Sequence, residues 1–153
     1  MVILGIDVGS SSVKAGVLRH GRIVGEVVRS PFPTQYDGVR AEVKAQDVVK
    51  AIAKGIRDVG SRAKHVDLIA FSVMAPSWVA IDKAGEALTP IVTHQDRRSV
   101  EIAREIERRV GKARHLKIAG NRPFPGGISS TTCAWFLKHE KSLMRRADLV
   151  GHL

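Results

Sequence analysis

Cysteine is almost missing from this chain. The single thiol, Cys133, rules out an internal disulfide and fits a reducing compartment, so a cytoplasmic protein is expected. Aromatic residues are also few, two Trp, one Tyr and four Phe among 153 residues, which leaves little with which to stack nucleic-acid bases. No apolar run approaches the ~20 residues that a membrane-spanning helix needs. The N-terminus carries no basic leader, and Asp7 interrupts its apolar run, so neither a secretory signal nor a membrane partner is expected. No repeat and no low-complexity linker breaks the chain. What remains is an apolar fraction of 44%, too high for a disordered segment, in a length suited to one domain with a core of its own.

Acidic residues are the other shortage: 15 Asp and Glu face 25 Lys and Arg, a formal charge of +10. About half of that surplus lies in RRSVEIAREIERRVGKARHLK, Arg97 to Lys117, where eight basic residues meet three Glu. One reading is a polyanion-binding surface for nucleic acid. The other is a solvated helix face, on which Arg97 with Glu101, and Glu105 with Arg109, sit four apart and can pair. The second is favoured, because no nucleic-acid motif accompanies the charge.

The hydrophobic pattern gives an order of elements. Val2–Val8 is nearly continuous in apolar residues, as in a central strand covered on both faces. Val13–Leu18 and Ile23–Val28 follow, joined by a tight turn at His20-Gly21, and Ser30-Pro31-Phe32-Pro33 stops the third strand. A helix is predicted over Asp47–Val59 with Asp47 as its cap. VDLIAFSVM, Val66–Met74, reads as another buried strand. Trp78–Ile81 is a short strand ending at the Asp82–Glu86 turn, and Ile91–Thr93 a further one. The basic helix starts near Ser99, packs Ile102, Ala103, Ile106 and Val110 on one side, and ends at Gly111. NRPFPGG, Asn121–Gly127, is a loop, and a last helix starts near Ser129 or Ser130 and runs through Trp135 to Leu137. A three-stranded meander followed by an α/β crossover is an α/β mixed sheet with helices on its faces. It is not a dinucleotide-binding start, because the first strand returns through a hairpin and not a helix.

The first hairpin, ILGIDVGSSSVKAGVL from Ile3 to Leu18, holds the chemistry. A turn of Gly9, Ser10, Ser11 and Ser12 lets several backbone N–H groups point outward, and its small side chains let an anion approach them. Asp7 repels a phosphate, yet it can hold a hydrated Mg²⁺ that phosphates also hold, since Mg²⁺ keeps most of its waters. Lys14 on the returning strand can reach the same anion. The group reads as a nucleotide-phosphate site. The plainer alternative is a serine-rich turn in which Asp7 caps local N–H groups.

DVGSSSVKAG, Asp7 to Gly16, resembles the first phosphate loop of the actin, hexokinase and heat-shock ATPase superfamily. VDLIAFSVMAPSWVAID with KAGEALTPIVTHQDRRS, then Gly120-Asn121, the Gly-Gly-Ile-Ser loop and CAWFLKHE, narrow this. The chain resembles the N-terminal part of the FGGY family of carbohydrate kinases over essentially all of its length, residues 1–153. The resemblance implies a ribonuclease H-like, actin-like ATPase fold, incomplete at its C-terminal end and without the family's second domain. It implies ATP and Mg²⁺ as cofactors and a sugar as the small-molecule partner. Asp7 would be the Mg²⁺-associated aspartate, Gly9 to Ser12 the phosphate turn and Lys14 its basic partner. The loop Val73–Ser77 would line the sugar pocket, with Met74, Pro76 and Trp78 stacking on a sugar's C–H face. Asp96 and Arg98 would organise its wall as an ion pair, the alternative being a plain surface salt bridge.

Two departures shape the expectations. Glycerol kinases carry an Arg-Glu pair, and xylulokinases a Met-His pair, where this chain has Ala75-Pro76; the tryptophan expected two residues before Asp96 is His94. Glycerol is disfavoured, and a xylulose-like pentulose is the expected sugar. The family's catalytic aspartate lies beyond Leu153, so no catalytic residue is assigned in this chain, which alone should not transfer phosphate efficiently. Its sheet should lack a late strand, leaving an apolar edge open to homodimerisation. Two rivals stand beside the kinase: a non-catalytic truncated module that binds a sugar or nucleotide, and a basic nucleic-acid binder.

Overall fold

In a pleated strand alternate side chains face opposite ways, and β1 (Val2–Val8) uses this to bury Leu4, Ile6 and Val8 while turning Ile3, Gly5 and Asp7 to the other face. The structure is a computed structural model that describes all residues, Met1–Leu153. The strand is therefore covered on one face only, and not on both as its continuous apolar run suggests. It pairs antiparallel with β2 (Ser12–Arg19), which pairs with β3 (Arg22–Pro31). His20 and Gly21 both have positive φ, 51° and 77°, the geometry that a two-residue hairpin turn demands. The chain divides into two compact units, residues 1–34 with 43–74, and 35–42 with 75–153.

The first unit holds a four-stranded sheet in the order β3-β2-β1-β6, with β6 (Leu68–Val73) parallel to β1. The chain enters β6 only after the hairpins and α1 (Ala45–Val59), whose buried residues Val48, Ala51, Gly55 and Val59 recur at helical spacing. Gly55 sets how closely the helix lies on the sheet: a Cβ there would stand 3.4 Å from the Ala15 methyl and 3.8 Å from Val13. Lys44 occupies the N-cap position without a side-chain bond, so Asp47 is not the cap. Asp47 lies in the first turn, where a carboxylate complements the helix dipole. The largest difference from expectation is β6. All six of its residues are exposed, Phe71 to 60%, because it is an edge strand bonded only to β1 and no helix of its unit covers it. Asp67, just before it, accepts a 2.6 Å hydrogen bond from the Val2 amide and holds the strand in register.

The second unit contains two small sheets. One has the order β4-β5-β8, from β4 (Gln35–Asp37), β5 (Arg40–Val43) and β8 (Ile91–Val92). The other pairs β7 (Val79–Ile81) antiparallel with β9 (Leu149–Gly151). Its core is Trp78, Ala80, Val92 and Phe136, with the Trp78 and Phe136 rings stacked at 4.6 Å. Four helices complete it: α2 (Val100–Val110), α3 (Lys112–Ala119), α4 (Ser129–His139) and α5 (Lys141–Met144). Gly111, at φ 84°, ends α2 as expected, and α3 starts immediately after it. In α2, Ile102 and Ala103 are buried while Val110 is exposed. Within the basic stretch Arg104 pairs with Glu101 at 2.6 Å and Arg109 with Glu105, while Glu107 is taken by Arg122 of the following loop at 2.6 Å. The expected pair of Arg97 and Glu101 does not form, because Arg97 turns its guanidinium to the carbonyls of His94 and Asp96. No helix is long and apolar enough to cross a membrane.

Replacing Gly55 with leucine should lower the stability of the first unit by about 1–3 kcal/mol, the usual cost of overpacking, read as a shift in the urea midpoint. No shift would mean that α1 does not depend on this close approach.

Candidate functional site

The turn after β1 is held from behind. Gly9 N–H donates to the Ser12 carbonyl at 3.0 Å, the Ser11 carbonyl accepts the Phe32 amide at 3.0 Å, and the Ser10 carbonyl accepts the Thr34 hydroxyl at 3.2 Å. In a planar trans peptide N–H and C=O point opposite ways. With the Ser10 carbonyl turned toward Thr34, the Ser11 N–H faces away from it. Ser10 and Ser11 are exposed and Ser12 is buried. The hydroxyl of Ser12 accepts a hydrogen bond from Arg29 Nε at 3.0 Å, so it fixes the turn and does not face solvent. Of the four turn residues predicted to meet an anion, Ser10 and Ser11 are the exposed ones, while Gly9 and Ser12 are engaged in holding the turn.

Asp7 and Lys14 are directly opposed in the β1–β2 register, and Asp7 stands opposite Ser72 on β6. Lys14 Nζ lies 3.3 Å from Asp7 Oδ2, with both side chains about half exposed. They sit on the uncovered face of the sheet, at a hollow of about 370 Å³ floored by Gly5 and Gly16. The cap reading does not hold, since Asp7 bonds Lys14 and no turn amide. No group of three or more His, Cys, Asp or Glu could by itself hold a metal. The single half-exposed carboxylate of Asp7, once released by Lys14, fits Mg²⁺ all the same, because that ion takes one or two protein carboxylates and completes its shell with water and phosphate oxygens.

In the second unit Asp96 is fully buried and saturated. Its Oδ2 accepts the Ala41 amide at 2.9 Å and Arg98 Nη2 at 2.8 Å, and its Oδ1 accepts Arg98 N at 3.0 Å and Nε at 2.9 Å. Arg98 also bonds Glu42 Oε1 and lies 5.2 Å from the Trp135 ring centre. Burial opposes its charge, but the hydrogen bonds to Asp96 and Glu42 outweigh that cost and hold its pKa above the ordinary value. The Asp96–Arg98 pair is a buried triad with Glu42 and not a surface salt bridge. Glu42 escaped sequence reasoning, since nothing local links it to a residue 56 positions away.

The predicted sugar residues are distributed unevenly. Trp78 has no exposed surface and is stacked inside the core, so it cannot offer a face to a sugar; its place there is structural. Met74 is buried in the first unit, where its amide donates to the Val8 carbonyl at 2.7 Å. Ala75 is exposed. Pro76 lines a second hollow of about 370 Å³ with His94, Arg97, Phe124 and Ile128. Its wall depends on Gly126 and Gly127, both at positive φ: a Cβ on Gly126 would stand 2.3 Å from the His94 carbonyl oxygen, and one on Gly127 2.7 Å from that of Pro76. Consecutive glycines were legible as a loop, and their close backbone approach was not. Arg97 and Phe124 carried no signal that would have placed them beside Pro76.

Removing the buried carboxylate by Asp96→Ala should cost about 3–5 kcal/mol, as for a buried pair left half made, measured by chemical denaturation. A loss as small as that of an exposed pair would contradict the buried triad.

Residues 2–153 match the family model described as the FGGY family of carbohydrate kinases, N-terminal domain. The chain is 28% identical over 149 residues to a gluconokinase of Bacillus subtilis (strain 168), covering 95% of this chain and 29% of that protein. It is 24% identical over 151 residues to a xylulose kinase of Staphylococcus xylosus, covering 94% of this chain and 30% of that one. It thus spans under a third of the length of these curated relatives. Among solved structures, gluconate kinase from Lactobacillus acidophilus superposes with a TM-score of 0.89 at 19% identity, covering 99% of this chain and 31% of that one. Xylulose kinase from Rhodospirillum rubrum gives 0.86 at 20% identity, covering 98% and 32%.

Proposed function

Because the chain belongs to the FGGY family of carbohydrate kinases and has its actin-like ATPase fold, we propose that it supplies the first phosphate turn and part of the sugar site of an enzyme that phosphorylates a sugar with ATP. The observation that carries this reading is the opposed pair Asp7 and Lys14 beside the exposed Ser10-Ser11 turn. Backbone N–H groups there would receive the terminal phosphates, and Lys14 would neutralise part of their charge as a point cation. Asp7 would hold Mg²⁺, which when bound spreads the charge of the transferring phosphoryl group. For this Lys14 must swing from Asp7 to the phosphates, a short move for a half-exposed side chain.

The sugar would enter the hollow beside Ala75 and Pro76. Asp96 and Arg98 would serve it indirectly, by fixing the backbone that carries His94 and Arg97. No carboxylate lines this hollow, and Asp82 spends Oδ1 on the amides of Ala84 and Glu86 in its own turn. We therefore assign this chain binding and orientation, and not the general base that accepts the sugar hydroxyl's proton. The apolar edge of β6, exposed along its length, is also proposed to mediate self-association; a monomer by sedimentation across the micromolar range would end that part of the reading.

The test is Asp7→Ala in the protein that carries this chain. Mg²⁺-dependent sugar phosphorylation should fall by roughly 100-fold or more, with circular dichroism unchanged. In the 153-residue chain, Mg-ATP should shift the amide resonances of Ser10 and Ser11 in NMR spectra. Undiminished turnover in the variant would refute the role given to Asp7.

A further inference from the structure

The hollow beside Pro76 is unusual in what it offers a sugar. Neutral polyols bring hydroxyl groups that both donate and accept, and a site for them commonly supplies acceptors as well as donors. Here the charged side chain in the wall is Arg97, the other polar one is His94, and neither a carboxylate nor a side-chain amide is present; Phe124, Pro76 and Ile128 make much of the rest. Arginine donates and never accepts. The hollow is thus matched to a ligand rich in acceptor oxygen and carrying negative charge.

Arg97 is also pre-set for such a ligand. Its Nη1 donates to the carbonyls of His94 at 2.8 Å and Asp96 at 2.9 Å, which fixes the plane of the guanidinium. Its own amide is bonded to the Val39 carbonyl at 2.8 Å. The side-chain hydrogen bonds of Arg97 both leave from Nη1, so Nε and Nη2, the edge that forms a side-on fork with a carboxylate, are unbonded. The nearest acid along the chain, Asp96, is turned inward and saturated by Arg98 and the Ala41 amide. Arg97 is exposed, and its guanidinium, tethered through Nη1 with the other edge unbonded, can receive a planar anion bidentately.

We propose that the sugar taken by this hollow is a sugar acid, held through its carboxylate by the free edge of Arg97, with its C–H face on Phe124 and Pro76. This rests on the sugar-site reading above and refines it, replacing the neutral pentulose with an anionic polyol. The experiment is an NMR titration of the protein at low ionic strength with gluconate and with sorbitol, which has the same carbon chain but a hydroxymethyl group in place of the carboxylate, and with xylulose. Gluconate should bind about tenfold more tightly than sorbitol or more, the range for hydrogen bonds to a charged group. That preference should collapse in Arg97→Gln and be only partly retained in Arg97→Lys, which keeps the charge and loses the planar fork. Because the readout is a ratio of affinities, a general loosening of the loop does not imitate the result. Equal binding of gluconate and the neutral sugars would overturn the acid specificity and leave the sugar site standing. Failure of all three to bind would overturn both. A preference that survives in Arg97→Gln would remove Arg97 from the site.

Discussion

Leu4, Ile6 and Val8 must face α1 if the first unit is to have a core, and the two-residue period of the strand then commits Asp7 to the opposite face. The rest of that unit follows from this constraint. The hairpin turn at His20 and Gly21 sets β3 against β2, the β1–β2 register brings Lys14 across from Asp7, and the parallel pairing brings Ser72 alongside. A slip of one residue would turn the aspartate to the face that α1 covers and expose Leu4, Ile6 and Val8, so register and the placement of Asp7 are locked together.

The second unit is organised by charge and not by period. Its strands are two to four residues long, too short to specify a sheet alone. A fully buried Asp96 compensates, tying its own segment to Ala41 and to Arg98, which reaches on to Glu42 and lies over Trp135. Buried ion pairs add little net stability when compared with apolar packing, but an unmatched partner is costly. The triad therefore selects one arrangement of these segments. The glycines at 126 and 127 complete it, because side chains there would collide with the His94 and Pro76 carbonyls.

Much of the first unit was legible in advance. The three strands of the meander and the helix to Val59 are each set by local pattern, and Asp7, Lys14 and the serine turn lie within a few residues of one another on one hairpin, where pattern and turn propensity act. The division of labour within the turn was not legible. That Ser12 is consumed by Arg29, 17 residues away, is a fact of strand pairing. Burial was misjudged for the same reason: VDLIAFSVM has the composition of a covered strand, yet β6 is an edge, and composition does not say which faces a neighbour covers. Trp78 shows the converse, an aromatic beside a predicted binding loop that packing claims for the core.

The amino-acid sequence by itself determined the family, the α/β class and the order of the meander, α1 and β6, because these are carried by short contiguous motifs with local physical causes. Only the tertiary structure decided that the chain forms two compact units, that Glu42 belongs with Asp96 and Arg98, and that Arg97 faces a carboxylate-free hollow with one edge unbonded. Each of these depends on residues tens of positions apart being brought within a few ångströms. No period or spacing in a single chain records such an encounter, since the free energy that drives it is the burial and pairing of groups that meet only after folding.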